Sequence, residues 1–283
     1  MGDSFNTEGW GLIAGNGDFP LLVLEGARRR GVDMAVIAIR EEATRELDQA
    51  AKRIHWVSLG ELGRAIELLH QEGVKQAVMA GQVKHQKIFS DIPADGRMAP
   101  LLERLATRNT DALIGAVASV LKFEGIELVD STLFLEPLLP APGILTARAP
   151  DEQEAADIAY GRQIARQIAG PDLGQTVVVA ERACVAIEAM EGTDETIERA
   201  ARLAGGTPLV VVKVSKPKQD MRFDVPVVGP RTIEVMKRAK ATALAIDAGR
   251  TLIFDRQRVI EMADAVGIAI EAAPHEPEGG DGQ

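Results

Sequence analysis

Short apolar runs punctuate the first half of the chain, and stretches with helical spacing separate them. The runs at 10–14, 34–39, 54–57 and 74–80 have the length of strands. The stretch opened by Gly15-Asn-Gly-Asp-Phe-Pro20 ends at Arg28-Arg-Arg30 and Gly31, and the one after 54–57 closes at Gly73. Cations in a last turn with glycine just beyond are helix-stop signals. Ser58-Leu-Gly-Glu61 has the spacing of a capping box for the second of these helices. Strands alternating with helices in this way predict a parallel sheet covered on both faces, hence a Rossmann-like start.

An irregular stretch at 86–100 follows, then helical patterns at 101–107 and 111–124 and a strand at 126–129. Pro137, Pro140, Pro142 and Gly143 interrupt both kinds of periodicity and read as a linker. Asp151 with Glu154 opens a long helix to about 169. Beyond it the pattern predicts strands at 176–179, 184–189, 209–214, 243–246 and 251–254, and helices at 194–203 and 230–240. Asp255 is placed to cap a last helix ending at Gly267, and 274–283 is polar and glycine-rich. The predicted class is α/β with two domains. A Rossmann-like parallel-sheet domain spans 9–136, a linker 137–150, a mixed α/β domain 151–272 and a disordered tail 273–283. No internal repeat is present.

Composition narrows the function classes. Among 283 residues, 46% are apolar and 26% charged, which fits a globular protein and excludes collagen-like or low-complexity chains. No apolar stretch reaches the roughly 20 residues of a spanning helix, and 1–7 is polar and acidic rather than signal-like. The single cysteine, Cys184, has no internal disulfide partner, which fits a reducing cytoplasm. Acidic residues outnumber basic ones 42 to 32, and only 4% of residues are aromatic. Such a field and so few stacking groups argue against nucleic acid as a partner.

Candidate chemistry falls at three places. Gly15-Asn16-Gly17 sits at a strand-to-helix turn, where backbone amides and the helix dipole bind phosphate. Pro20 replaces the third glycine of the dinucleotide fingerprint, so a nicotinamide cofactor fits poorly, although Arg40-Glu-Glu42 follows the second strand. Gly81-Gln82-Val-Lys84 falls on the same carboxyl edge, and Asn109, Thr110 and Asp111 open the next helix. The densest segment is 213–231, with five cations (Lys213, Lys216, Lys218, Arg222, Arg231) and two carboxylates (Asp220, Asp224) in an acidic chain. That mixture suits a phosphate-gripping loop with Mg²⁺ on the carboxylates. Gly229-Pro-Arg-Thr232 opens a helix and offers a further anion site. The Ser215-x-x-Lys218 spacing is a chance match to the Ser–Lys hydrolases, and neither Cys184 nor His55, His70 or His275 stands in a catalytic arrangement.

Four segments in this order, Gly11-Leu-Ile-Ala-Gly-Asn-Gly-Asp-Phe-Pro20, Ala80-Gly-Gln-Val83, Arg108-Asn-Thr-Asp-Ala112 and Lys216-Pro-Lys-Gln-Asp-Met-Arg-Phe-Asp-Val-Pro226, resemble the LpxI family. These are UDP-2,3-diacylglucosamine pyrophosphatases of lipid A biosynthesis, and the resemblance spans roughly 10–272. It implies hydrolysis of UDP-2,3-diacylglucosamine to UMP and 2,3-diacylglucosamine 1-phosphate (lipid X), with Mg²⁺ as cofactor. The resemblance further implies attack on the sugar-side phosphorus, a substrate held between the domains and a homodimer. The family's essential aspartate maps onto Asp224, which is expected to hold the metal. Lys213, Lys216 and Arg222 are expected to grip the phosphates. Gly15, Asn16, Gly17, Gln82, Lys84, Asn109, Thr110, Asp111, Gln219, Gly229 and Thr232 complete the expected substrate contacts. Ile88, Phe89 and Met98 are candidates for the acyl-chain surface. A lipid product makes peripheral contact of a cytoplasmic protein with the inner membrane the expected localisation. A non-catalytic nucleotide-sugar sensor and, behind it, an NAD(P)-dependent oxidoreductase are the competing readings.

Overall fold

A computed structural model describes residues 6–83, 93–105, 110–171 and 173–275. Two compact units emerge: residues up to Leu135 together with Asp220–Asp224, and Glu136–Gln219 with the chain from Val225 onward.

The first unit is built on β1 (Trp10–Ala14), β2 (Ala35–Ile39), β3 (Arg53–Val57), β4 (Gln76–Ala80) and β5 (Glu127–Leu128), in the order β3-β2-β1-β4-β5. All four pairings are parallel. The helices are α1 (Phe19–Arg29), α2 (Leu47–Ala50), α3 (Leu62–Gln71), α4 (Met98–Arg104) and α5 (Thr110–Phe123). Every residue of β2 is buried, as in a strand covered on both faces. Ile37, Ile39 and Val57 pack with Leu62, Ile66 and Leu69 of α3 and with Leu113 and Leu121 of α5. The expected Rossmann-like organisation is present, and its strand order reverses between β1 and β4, where such sheets open a crevice.

The second unit carries a mixed sheet in the order β6-β13-β11-β9-β7-β8: β6 (Gly143–Ile144), β7 (Thr176–Ala180), β8 (Ala183–Ile187), β9 (Leu209–Lys213), β11 (Ala241–Asp247) and β13 (Ala269–Ala273). Strands β9, β11 and β13 are parallel, and β6, β7 and β8 join antiparallel. β10 (Val227–Val228) and β12 (Leu252–Ile253) form a separate short ladder. On one face α6 (Glu152–Ala169) covers Val210, Val212 and Val214. On the other, α7 (Thr193–Leu203), α8 (Pro230–Arg238) and α9 (Arg256–Ala265) enclose Leu209, Val211, Leu244 and Ile246.

Capping agrees with the sequence in one case of three. Asp151 Oδ1 accepts the Glu154 amide and Glu154 Oε2 accepts the Asp151 amide, each at 2.8 Å, a full capping box. At Ser58 only half is made: Glu61 accepts the Ser58 amide at 2.6 Å, but the helix starts at Leu62 and has no side-chain cap. Asp255 stands at the start of α9 in the left-handed region (φ 48), outside the extended geometry of a capping residue, and makes no side-chain cap bond. Strand β13 was absent from the sequence pattern, and β6 and Arg148 occupy the proline-rich stretch. Arg148 bonds Glu154 twice and the Thr242 and Gly267 carbonyls. No helix among the described residues is long and apolar enough to cross a membrane.

Candidate active site

The β1–α1 turn and the turn after β4 lie backbone to backbone at the switch point. Asn16 and Gln82 form an isolated bridge, the Asn16 amide donating to Gln82 O at 2.8 Å and the Gln82 amide to Asn16 O at 3.1 Å. A Cβ on Gly15 would meet Gln82 O at 2.7 Å, and one on Gly81 (φ +92) would meet Asn16 O at 2.6 Å, so both positions require glycine. The Gly15 amide donates to Ala80 O. The amides of Gly15 and Asn16 are therefore spent inside the fold, and the anion-binding capacity expected of this turn begins only at Gly17, on the uncapped start of α1. Asn16 instead turns its side chain toward the buried Glu42, 3.4 Å away. Gln82 keeps its side chain exposed.

Residues 220–224 form one tight turn, with the Phe223 and Asp224 amides donating to Asp220 O. Ser131, fully buried just beyond β5, fixes it. Its amide donates to Met221 O at 2.9 Å, and its hydroxyl lies 2.5 Å from Arg222 O and 2.6 Å from Met79 O of β4. Sequence reasoning missed Ser131, because a lone serine after a strand carries no signal of its own. Within the turn Arg222 grips Asp220 bidentately, at 2.8 and 2.6 Å. The guanidinium holds the Asp220 carboxyl below its ordinary value, and Asp220 raises Arg222 in return. Arg222 is thus aimed by Asp220, and the two expected metal carboxylates part company. Asp220 is spent on Arg222, while Asp224 is half-buried at the end of the turn.

In the second unit, the chain leaves β9 toward the Lys/Asp-rich loop. Lys213 does not project into that loop. It is 6% exposed and donates to Thr193 Oγ1 at 2.7 Å, and Thr193 in turn donates to Glu188. Strand parity explains this: Leu209, Val211 and Lys213 all face the layer of α7, α8 and α9. Lys216 follows in a turn closed by Gln219, whose Oε1 accepts the Lys216 amide at 2.7 Å and whose own amide donates to Lys216 O. Gly229 in extended conformation precedes α8, Thr232 lies in its first turn, and Arg231 pairs with Asp194 at 2.8 Å.

An apolar cleft opens in the first unit, lined among others by Ile39, Met98, Leu113, Val117 and Phe223. Met98, a candidate for the acyl-chain surface, is among its lining residues. Thr110 and Asp111 open α5. Lys84, Ile88, Phe89 and Asn109 lie outside the described residues. Burial pushes the half-buried Cys184 thiol up, away from nucleophilic service. Among the described residues no group of three or more His, Cys, Asp or Glu side chains is arranged to hold a metal. Mg²⁺ bound with a diphosphate needs only one or two protein carboxylates. Asp224 fits that lesser requirement.

The fold defines a two-domain α/β protein with a parallel sheet in the first unit and a mixed sheet in the second. Its residues 10–138 match the LpxI N-terminal domain and residues 141–271 the LpxI C-terminal domain. The chain belongs to the LpxI family. It is 33% identical over 270 residues to the UDP-2,3-diacylglucosamine pyrophosphatase LpxI of Caulobacter vibrioides, covering 92% of this chain and 95% of that one. Among solved structures, an ADP complex of N5-carboxyaminoimidazole ribonucleotide synthetase is 14% identical, with a TM-score of 0.28 over 73% of this chain and 47% of that one. The biotin carboxylase domain of Hydrogenobacter thermophilus 2-oxoglutarate carboxylase gives 14% and 0.26 over 70% and 42%. Likenesses of that size inform neither fold nor function.

Proposed function

We propose that this chain hydrolyses the pyrophosphate of UDP-2,3-diacylglucosamine in lipid A synthesis, releasing UMP and lipid X with the help of Mg²⁺. The full-length similarity to the Caulobacter enzyme carries the reading. The turn at 220–224, with Arg222 braced by Asp220, supports it chemically.

Hydrolysis of a phosphoanhydride needs two phosphates held still, a water aligned on one phosphorus, and the charge on the departing oxygens neutralised. Lys216 and Arg222 supply cations to the phosphates. Arg222, braced by Asp220, presents a guanidinium of fixed orientation. Asp224 accepts a hydrogen bond from the water that attacks the sugar-side phosphorus, and the bond to the bridging oxygen breaks, so that UMP leaves. Asp224 is the residue that would hold Mg²⁺, and the ion would supply further neutralisation of the diphosphate charge. The amides from Gly17 onward take an anionic part of the head group, and the cleft beside Met98 and Phe223 takes acyl chain. A lipid substrate accounts for peripheral contact of a cytoplasmic homodimer with the inner membrane, which belongs to the same proposal.

Purified protein is assayed with UDP-2,3-diacylglucosamine in Mg²⁺ and in EDTA, beside Asp224→Ala, and in ¹⁸O-water. Release of UMP and lipid X, abolished by EDTA and by the substitution, with ¹⁸O in lipid X, is the expected result. Binding without turnover by folded protein in Mg²⁺ overturns the reading in favour of a sensor.

A further inference from the structure

The second unit contains a buried ion pair that the reaction above does not use. Asp247, the last residue of β11, is 1% exposed, and its Oδ1 accepts from Arg162 Nη1 of α6 at 2.8 Å. Arg162 also donates to Ile246 O at 2.9 Å and lies 3.9 Å from Glu271. The other carboxylate oxygen, Oδ2, accepts the backbone amide of Ser215 at 2.8 Å, with His275 Nδ1 at 3.3 Å.

Packing alone gives no reason for this arrangement. A buried Arg–Asp pair is often no more stable than an apolar pair of the same volume, because desolvation offsets the attraction. Here two buried polar atoms, Arg162 Nε and Ser215 Oγ, also lack a hydrogen-bond partner among the described residues, an outcome that folds generally avoid. What the carboxylate accomplishes is local. It ties down the backbone where the chain, having left β9, enters the loop of Lys216. Ser215 is held by Asp247, and the very next residue begins the turn that Gln219 closes from both its amide and its side chain. A short line of hydrogen bonds thus runs from Arg162 through Asp247 and Ser215 to the base of the Lys216–Gln219 turn.

We propose that Asp247 is a positioning residue for the phosphate-gripping loop, acting through the Ser215 amide on the placement of Lys216. The inference rests on the reading that this loop serves the diphosphate. A loop cation displaced by about 1 Å loses on the order of 100-fold in rate, so the effect falls on kcat rather than on stability.

Two double variants of the full chain separate positioning from structure. Arg162→Leu with Asp247→Asn removes the charges but keeps an acceptor for the Ser215 amide, whereas Arg162→Leu with Asp247→Leu removes both. The expected result is rescue by asparagine, with kcat within about threefold of wild type, against a loss of about tenfold or more in the leucine pair at similar KM and similar thermal midpoint. Equal kcat in the two folded variants, whether high or low, overturns the proposal. If the leucine pair does not fold, hydrogen exchange at the Ser215 amide decides. Protection in wild type and in the asparagine pair, with kcat kept in the latter, upholds the proposal, and an unprotected amide in either or a lost kcat overturns it. Lys216→Ala, assayed alongside, tests the underlying reading. Wild-type turnover in Lys216→Ala refutes the phosphate loop itself, whereas its loss with unchanged turnover in the leucine pair refutes only the role of Asp247.

Discussion

The Ser131 hydroxyl lies 2.5 Å from the carbonyl oxygen of Arg222, a residue 91 positions further along the chain. The same hydroxyl reaches Met79 O, and the Ser131 amide holds Met221 O. One small buried side chain therefore fastens the turn ending in Asp224 to β4 of the first unit's sheet. Ser131→Ala leaves buried carbonyl oxygen short of a donor, which costs about 1–3 kcal/mol. Denaturant titration should show that loss, and kcat should fall more than KM rises, because the turn that carries Asp224 keeps only the backbone tie from residue 131 to Met221 O.

The Asp220–Arg222 pair sets a pH dependence. The carboxyl lies below its ordinary 3.8 in the folded state, chiefly through the Arg222 hydrogen bonds. Its contribution to stability is thus complete above the unfolded value and is lost as pH falls through the folded one. Asp220→Asn should lower the thermal midpoint by a constant margin between about pH 6 and pH 8, and that margin should shrink on acidification below about pH 4. Both groups are about a third exposed or more, so the margin is small. A margin that grows on acidification contradicts the sign.

Gly81→Ala forces a Cβ to within 2.6 Å of Asn16 O at a φ of +92, adding overpacking to backbone strain. A loss of about 1–3 kcal/mol is expected, read as a lower midpoint for the first unit. Gly17→Ala is the contrast. Nothing lies within 4 Å of its added Cβ, so only the strain of φ +87 remains.

Phe223→Ala tests the cleft. Each buried CH₂ contributes about 0.8 kcal/mol, so KM should fall steeply as the acyl chains of the substrate lengthen. The substitution should flatten that slope while leaving inhibition by UDP unchanged. An unaltered slope would show that the chains lie elsewhere.

The sequence revealed most where physics is local. Runs such as Ala-Val-Ile-Ala-Ile at 35–39 and Leu-Val-Val-Val-Lys at 209–213 are legible as buried strands because β-branched residues fill both faces. Ala-Ile-Glu-Ala-Ala at 269–273 was not, since alanine suits a helix equally well and only pairing with β11 decides the matter. Ser58 and Asp255 are residues able to cap, but capping depends on backbone angles that composition does not carry. In the candidate site the phosphate-binding residue types were visible as charge density. Their division of labour was not, because the Asp220–Arg222 contact arises from the turn's geometry and Ser131 acts across a long sequence separation. Lys213 was legible in principle, since its parity with Leu209 and Val211 places it on the covered face.

The turn at Asp220–Asp224 belongs to the first unit, although the chain on either side of it belongs to the second. The reading frame for one domain is therefore not finished when that of the other begins. A gene cut at the proline-rich junction would yield a first piece without its aspartate turn and a second piece with a turn that has nowhere to dock. The two halves of such a chain are therefore not interchangeable parts: the second carries a segment that the first one's fold requires.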